Sequence, residues 1–384
     1  MSHRPVYLDH HATTPVDERV LNAMLPFFRE QFGNPSSSVH AYGWEAEAAV
    51  KQARETLAAA IHAAQEEILF TSGATEANNL AIKGVAEAYF AKGRHLLTVA
   101  TEHSAVLDPC EYLETMGFEV TRLPVQPDGL VDVVQLEKAI RPDTILVSVM
   151  AANNEIGVVQ PLATIGDICH QKGTLFHTDA AQAIAKLPLN VQTMNIDLLS
   201  MTAHKVHGPK GIGALYVRRR NPRVQLAAQL HGGGQERGLR SGTLYVPQIV
   251  GFAKAVELGL AEMAEETERL GQLRDRLWQI LQSAGGIHLN GHPTQRLAHN
   301  LNISVEGVDG QALLLGIQPF VAVSSGSACS STKIAPSHVL KAMGHSDELA
   351  YASLRFGLGR FTTAEEIEQV GEKVKGAIAA LRNT

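Results

Sequence analysis

Cysteine is scarce in this chain: its 384 residues hold three, Cys110, Cys169 and Cys329. An odd number with no C-x-x-C pair excludes a disulfide framework and a zinc site of the common spacings, and it suits a reducing compartment. Long apolar runs are missing as well. No window approaches the roughly 18 apolar residues of a membrane span, and the N-terminus reaches Asp9, His10 and His11 before an apolar run can form, which excludes a secretory signal. Nor is there an excess of positive charge: 33 Lys and Arg stand against 39 Asp and Glu, and basic residues cluster only briefly, as at Arg218–Arg220. A net charge of −6 gives nucleic acid little electrostatic footing. The expectation is a soluble, cytoplasmic protein with neither nucleic acid nor membrane as a partner.

What the chain does have is globular. Hydrophobic residues at 45% and charged residues at 19% allow a large core, and at about 150 residues per domain the length predicts two domains or three. The apolar runs "EILFTS", "HLLTVA", "TILVSVMAA", "TLFHTDA" and "IDLLSMTA" read as strands, and helix-period segments separate most of them. That alternation predicts an α/β fold: a mainly parallel sheet covered by helices on both faces, in a large domain over residues 15–260. A helical segment with Leu270, Leu273, Leu277 and Ile280 on one face leads into a smaller α/β domain, assigned residues 1–14 and 261–384. Its last helix opens at Thr362 or Thr363, each with a glutamate three residues on, and turns Ile367, Val370, Val374, Ile378 and Leu381 inward. With no repeat, low-complexity tract or linker, the two domains are expected to pack closely.

Ligands of open α/β sheets bind outside the carboxyl ends of the strands, so polar residues that directly follow apolar runs are the candidates. Ser72, Gly73, Ala74 and Thr75 precede a helix whose free N–H groups could hold a phosphate. An ordinary glycine turn competes, because the Walker and Rossmann spacings are absent. Asp179 and Gln182 follow "TLFHT"; a carboxylate there calls for a cation, such as a protonated pyridine nitrogen, or else caps the next helix. Lys205 follows "SMTAH", and a desolvated lysine forms Schiff bases with aldehydes, although a lone lysine is more often solvated. Lys205 and Asp179 together are what pyridoxal phosphate chemistry requires. His103 could stack on a flat ring or shuttle a proton, and Asn153, Asn154 and Glu155 sit at a further strand end, where they would also suit a turn.

Cys110 and Cys169 lie in helix-like segments and read as small buried hydrophobes. Cys329 has no such setting. The stretch "SSGSACSS" surrounds it with serine, glycine and alanine rather than the apolar neighbours of a core thiol. A thiolate is well suited to attack sulfur.

In chain order, "YLDHHATTP", "TSGATE", "TEH", "NNEIG", "HTDAAQ", "HK", "HGGGQERGLRSGT", "SSGSAC" and "RFGLGRF" resemble the motifs of the pyridoxal-phosphate-dependent cysteine desulfurases, class V aminotransferase-like enzymes. The match is closest to the group serving iron–sulfur cluster assembly, and it runs to about Leu381, nearly the whole chain. It implies the aspartate aminotransferase-like fold (fold type I), a homodimer, and pyridoxal 5'-phosphate as cofactor. By the same resemblance Lys205 bears the cofactor, Asp179 pairs with the ring nitrogen, Gln182 bonds the ring hydroxyl and His103 lies over the ring. Ala74, Thr75, Thr202 and His204 match the phosphate-binding set, and Thr243 matches a phosphate contact supplied by the neighbouring subunit. Asn154 and Arg355 match groups that hold the substrate carboxylate. Cys329 matches the nucleophile that takes sulfur from L-cysteine as a persulfide, releases L-alanine, and passes the sulfur to an acceptor such as an iron–sulfur scaffold protein.

Two departures from the family pattern are visible. Thr202 and Ala203 stand where close relatives often have serine and glycine, and the sequence stops at Thr384 where relatives dedicated to a cluster scaffold continue with a tail that helps to bind it. Two other readings stay open. A different pyridoxal enzyme, such as an aminotransferase or a selenocysteine lyase, would keep Lys205 and Asp179 without needing Cys329; an idle interaction protein would keep the fold alone.

Overall fold

The computed structural model describes residues 4–325 and 336–383, and Cys329 lies outside the described residues. The largest sheet has the strand order Ile68–Thr71, Gly213–Val217, Leu198–Thr202, Leu175–Asp179, Thr144–Ser148, His95–Val99, Glu119–Leu123. Gly213–Val217 runs antiparallel to both of its neighbours, and every other pairing is parallel. All five apolar runs of the sequence became strands of this sheet.

Successive side chains of a strand point to opposite faces, and here both faces are covered. Phe70, Leu97, Val147, Phe176 and Leu199 pack on one side with residues of the helices Ala41–Ala60 and Val246–Gln282. Their neighbours Leu69, Leu96, Leu146, Leu175 and Leu198 pack on the other with the helices Ala74–Ala88 and Ser104–Thr115. This is why the runs are continuously apolar instead of alternating. Cys110 and Cys169 are buried in the helices Ser104–Thr115 and Leu162–Lys172, as small hydrophobes should be.

The helix Val246–Gln282 carries Pro247 in its first turn, where the missing N–H is no loss. Its first half contributes Ile249, Phe252 and Val256 to the core beside the large sheet, and its second half contributes Leu270, Leu277 and Leu281 to a separate one. That second core lies against an antiparallel sheet in which Asn300–Val305 is central, between Ile287–Leu289 and Ser353–Gly357. The final helix, Ala364–Arg382, closes it with Ile367, Val370, Val374 and Ile378, and Thr363 rather than Thr362 forms the capping box with Glu366. The N-terminal segment ties the two parts together. Val6–Tyr7 pairs with Val321–Ala322, the His10 N–H donates to Gly357 O, and seven residues after Tyr7 the Thr14 N–H donates to His204 O, beside Lys205.

Candidate active site

The strands Ile68–Thr71, His95–Val99, Thr144–Ser148, Leu175–Asp179 and Leu198–Thr202 run in one direction, so their carboxyl ends share one edge of the sheet. At that edge lies a cleft of about 510 Å³, within the range of roughly 300–1,000 Å³ usual for small-molecule sites. Ala74, Thr75, His103, Asn154, Asp179, Gln182, Thr202, His204 and Lys205 all line it. Thr243 and Arg355 do not.

At one end of the cleft the helix Ala74–Ala88 starts with backbone N–H groups that have no partner within the helix. A Cβ on Gly213 would lie 2.7 Å from the Gly73 carbonyl carbon, so glycine at 213 lets this turn sit against the sheet. Thr202 Oγ1 donates to Ile212 O at 3.3 Å, and His204 Nδ1 lies 3.1 Å from Thr13 Oγ1. Burial, with the charge of Lys205 next, pushes His204 down to about 4, so its ring is neutral near pH 7. The rim holds a carboxylate, Glu76, but Arg240 Nε donates to it at 2.7 Å, which offsets its charge. Hydroxyls, free N–H groups and a helix N-terminus form a donor set that fits a phosphate.

Asn78, one turn into the same helix, leads to a buried carboxylate. Asp179 ends its strand nearly buried; one oxygen accepts the Ala181 N–H at 2.9 Å, in a segment of turns and not the helix cap that the sequence allowed, and the other accepts Asn78 Nδ2 at 2.6 Å. Glu102 is fully buried close by, and burial pushes it well above the ordinary carboxylate range, with Asp179's charge adding to the rise. It accepts the Met150 N–H at 2.6 Å. His103 caps the helix Ser104–Thr115: its Nδ1 accepts the Ala105 N–H at 3.0 Å, so the neutral ring carries its hydrogen on Nε2. Burial and then Lys205's charge hold His103 below the usual histidine range.

Arg355, on the strand Ser353–Gly357, is buried behind the cleft. Its Nη1 donates to Asn154 O at 3.0 Å and its Nη2 to Asp9 Oδ1 at 2.8 Å. Ser324 Oγ also donates to Asp9, at 3.0 Å, and the Arg355 N–H donates to Ser324 O at 2.7 Å. Ser337, the cap of the helix His338–Ala342, donates through Oγ to Glu155, the neighbour of Asn154. The described residues on either side of the Cys329 segment are thus fastened to Arg355, Asp9 and Glu155. Thr243 is exposed, three residues beyond Arg240.

Asn78, Glu102 and Asp9 take part in this arrangement, as does His11, whose Nδ1 lies 3.2 Å from Gln182 Oε1, and the sequence alone gives none of them a site role. Asn78 follows Ala74 by one helical turn, and Glu102 directly precedes His103, so proximity to a named motif was the available signal. Among the described residues no helix is long and apolar enough to cross a membrane, and no group of three or more His, Cys, Asp or Glu could hold a metal ion.

A mainly parallel sheet that brings a lysine, a carboxylate and a phosphate cradle to one edge defines an enzyme of the aminotransferase type, and the chain belongs to the Aminotransferase class-V family, whose profile matches residues 6–370. It has the aspartate aminotransferase-like fold. The sequence is 54% identical over 379 residues to Cysteine desulfurase IscS of Dechloromonas aromatica, covering 98% of this chain and 93% of that one. To the protein of the same name from Methylococcus capsulatus it is 55% identical, with the same coverage. Among solved structures, a NifS-like protein superposes with a TM-score of 0.92 at 39% identity, over 98% of this chain and all of its own. SspA in complex with cysteine superposes with a TM-score of 0.82 at 40% identity, over 93% of this chain and all of its own.

Proposed function

We propose that this chain is a pyridoxal-phosphate-dependent cysteine desulfurase, which takes sulfur from L-cysteine, releases L-alanine and holds the sulfur as a persulfide on Cys329. The observation that carries the reading is the meeting of Lys205 and Asp179 in one cleft with the start of the helix Ala74–Ala88, in a chain 54% identical to desulfurases along nearly its whole length. Pyridoxal phosphate, when bound, supplies an electron sink for charge formed at the substrate's α-carbon. Lys205 would bond its aldehyde, Asp179 would hold the proton on the ring nitrogen, Gln182 would bond the ring hydroxyl, and Ala74, Thr75, Thr202 and His204 would hold the phosphate.

The protein's own groups account for the rest. Arg355 binds the substrate carboxylate together with Asn154, its guanidinium exchanging the Asp9 carboxylate for that of the substrate. Lys205 moves the α-proton, and His103, neutral with its hydrogen on Nε2, is placed to relay a proton at the substrate sulfur. The Cys329 thiolate attacks that sulfur. The carbon–sulfur bond breaks, a sulfur–sulfur bond forms, and the carbon takes up a proton to leave as alanine, so no outside oxidant is needed. Cys110 and Cys169 are poor candidates for this step: burial pushes the Cys110 thiol up to about 12 and raises Cys169 as well, which keeps both protonated.

The same reading makes the enzyme a homodimer. Thr243 is exposed outside the cleft it is expected to serve, and Tyr245, two residues on, packs edge-on against Phe28. Phe28, Phe32, Leu21, Leu25 and Tyr42 are all exposed, an apolar surface that a second copy would cover while lending Thr243 to its partner's phosphate. The acceptor of the sulfur is a protein of iron–sulfur cluster assembly, and the reaction belongs in the cytoplasm, where thiols stay reduced. The test is spectral and chemical: the purified protein should show a visible band that borohydride abolishes, and should release alanine from L-cysteine. A band without alanine release would favour a different pyridoxal enzyme, and no band would refute the cofactor.

A further inference from the structure

His11 is buried at the seam between the two cores, and its hydrogen bonds reach the cleft through Gln182. Its hydrogen bonds leave no freedom in polarity. Arg296 Nη2, which can only donate, lies 2.8 Å from one terminal atom of Asn300, and that atom must therefore be Oδ1. The other terminal atom is then Nδ2, which faces Glu155 O at 3.0 Å and His11 Nε2 at 3.0 Å. His11 Nε2 accepts. At the far end, the Gln182 atom 2.9 Å from His11 O faces a carbonyl and must be Nε2, so Oε1 is the atom 3.2 Å from His11 Nδ1 and needs a hydrogen from it. Both ends require the same tautomer. The ring is also held sterically: it stacks on His299 with centroids 4.6 Å apart, and a Cβ on Gly357 would come within 2.7 Å of His11 Cδ2. Burial, with His299's charge next, pushes His11 well below the ordinary histidine range, which keeps it neutral.

We propose that His11 is a positioning residue: as the Nδ1–H tautomer, fixed by Asn300 and Arg296, it locks the Gln182 amide with Nε2 as the group left to donate into the cleft. The ligand this orientation selects is an acceptor, the ring hydroxyl of pyridoxal phosphate in its deprotonated form. The inference rests on the cofactor reading above. A donor that draws charge from that oxygen makes the neighbouring lysine–aldehyde nitrogen easier to deprotonate. The backbone carbonyl of residue 11 takes one Gln182 N–H in any variant, but without the ring the Oε1 end loses its donor, so the amide is held at one end instead of two, spends part of its time turned, and the nitrogen holds its proton to higher pH.

Two measurements test this. In the cofactor-free protein labelled with ¹⁵N-histidine, the signals absent from His11→Asn should be those of a neutral ring protonated at Nδ1; an Nε2–H ring would overturn the assignment. In the holoenzyme, the pH midpoint of the visible band should rise in His11→Phe by about 0.5–1 pH unit, the equivalent of one neutral hydrogen bond. In His11→Asn, whose amide can put an N–H where Nδ1 stands, it should stay near the parent's. Gln182→Ala should raise the midpoint too, and adding His11→Phe to it should change nothing more, because the histidine acts through the glutamine. An unshifted midpoint in His11→Phe, or a full further shift in the double variant, would overturn the proposal. A parent protein without any visible band would refute the cofactor reading instead, while the labelling result would still decide the tautomer.

Discussion

At the scale of single residues, the division of labour follows from environment more than from residue type. Two lysines line the cleft, Lys205 and Lys210, but Lys205 stands three residues past the end of the strand Leu198–Thr202 and is half-buried, whereas Lys210 is exposed. Lys205→Ala should therefore lose the covalent pyridoxyl label left by borohydride reduction, and peptide mapping of the parent should find that label on Lys205; a label on Lys210 would overturn the assignment. The cysteines divide in the same way. Cys110→Ser and Cys169→Ser should desulfurate nearly as the parent does, and each should lose about 1–3 kcal/mol of stability for burying a hydroxyl without an assured partner, read from denaturant midpoints. Strand-end residues such as Asp179 and His103 could be named from sequence because an apolar run announces where it stops. His11 and Asn78 could not, since their roles depend on partners 171 and 101 residues away.

At the scale of elements, the strands were legible because a sheet buried on both faces writes itself as unbroken apolar runs. Glu119–Leu123 was not: it is an edge strand with only Leu123 buried, so its sequence carries little of that signal. Gly213–Val217 escaped for another reason, standing among glycines that read as turns. The final helix offered two possible starts, and the reciprocal bonds of Thr363 and Glu366 decide between them. Thr363→Ala should cost about 1 kcal/mol and Thr362→Ala should leave that cap intact. The long helix is a heavier test. Leu277 is fully buried in the core of the smaller sheet, so Leu277→Ala should cost about 2–5 kcal/mol. Loss of less than half a kcal/mol on thermal or chemical unfolding would mean that this half of the helix does not hold the second core.

At the scale of the whole molecule, a set of buried histidines makes stability depend on acid. Burial holds His11 and His299 well below the ordinary range, His177 and His204 at about 4, and His207 at about 3. Above the unfolded value of about 6.5 both states are neutral and the full stability is present; below it the unfolded chain takes up protons that the folded one refuses. Glu102, Glu155 and Asp197, raised by burial, act in the opposite sense and gain as acid protonates them, but they are fewer. The thermal midpoint should accordingly fall as the pH drops from about 6.5 toward 4, and a flat profile would contradict this account. A fully active monomer in sedimentation would likewise contradict the shared site at Thr243. The central claim, however, is that sulfur leaves the substrate on Cys329, and mass spectrometry tests it most directly: after brief exposure to L-cysteine without reductant, one added sulfur atom should map to the peptide containing Cys329 and be absent from Cys329→Ser, which should still bind pyridoxal phosphate. Sulfur on Cys110 or Cys169 instead, or undiminished alanine release by Cys329→Ser, would contradict the account.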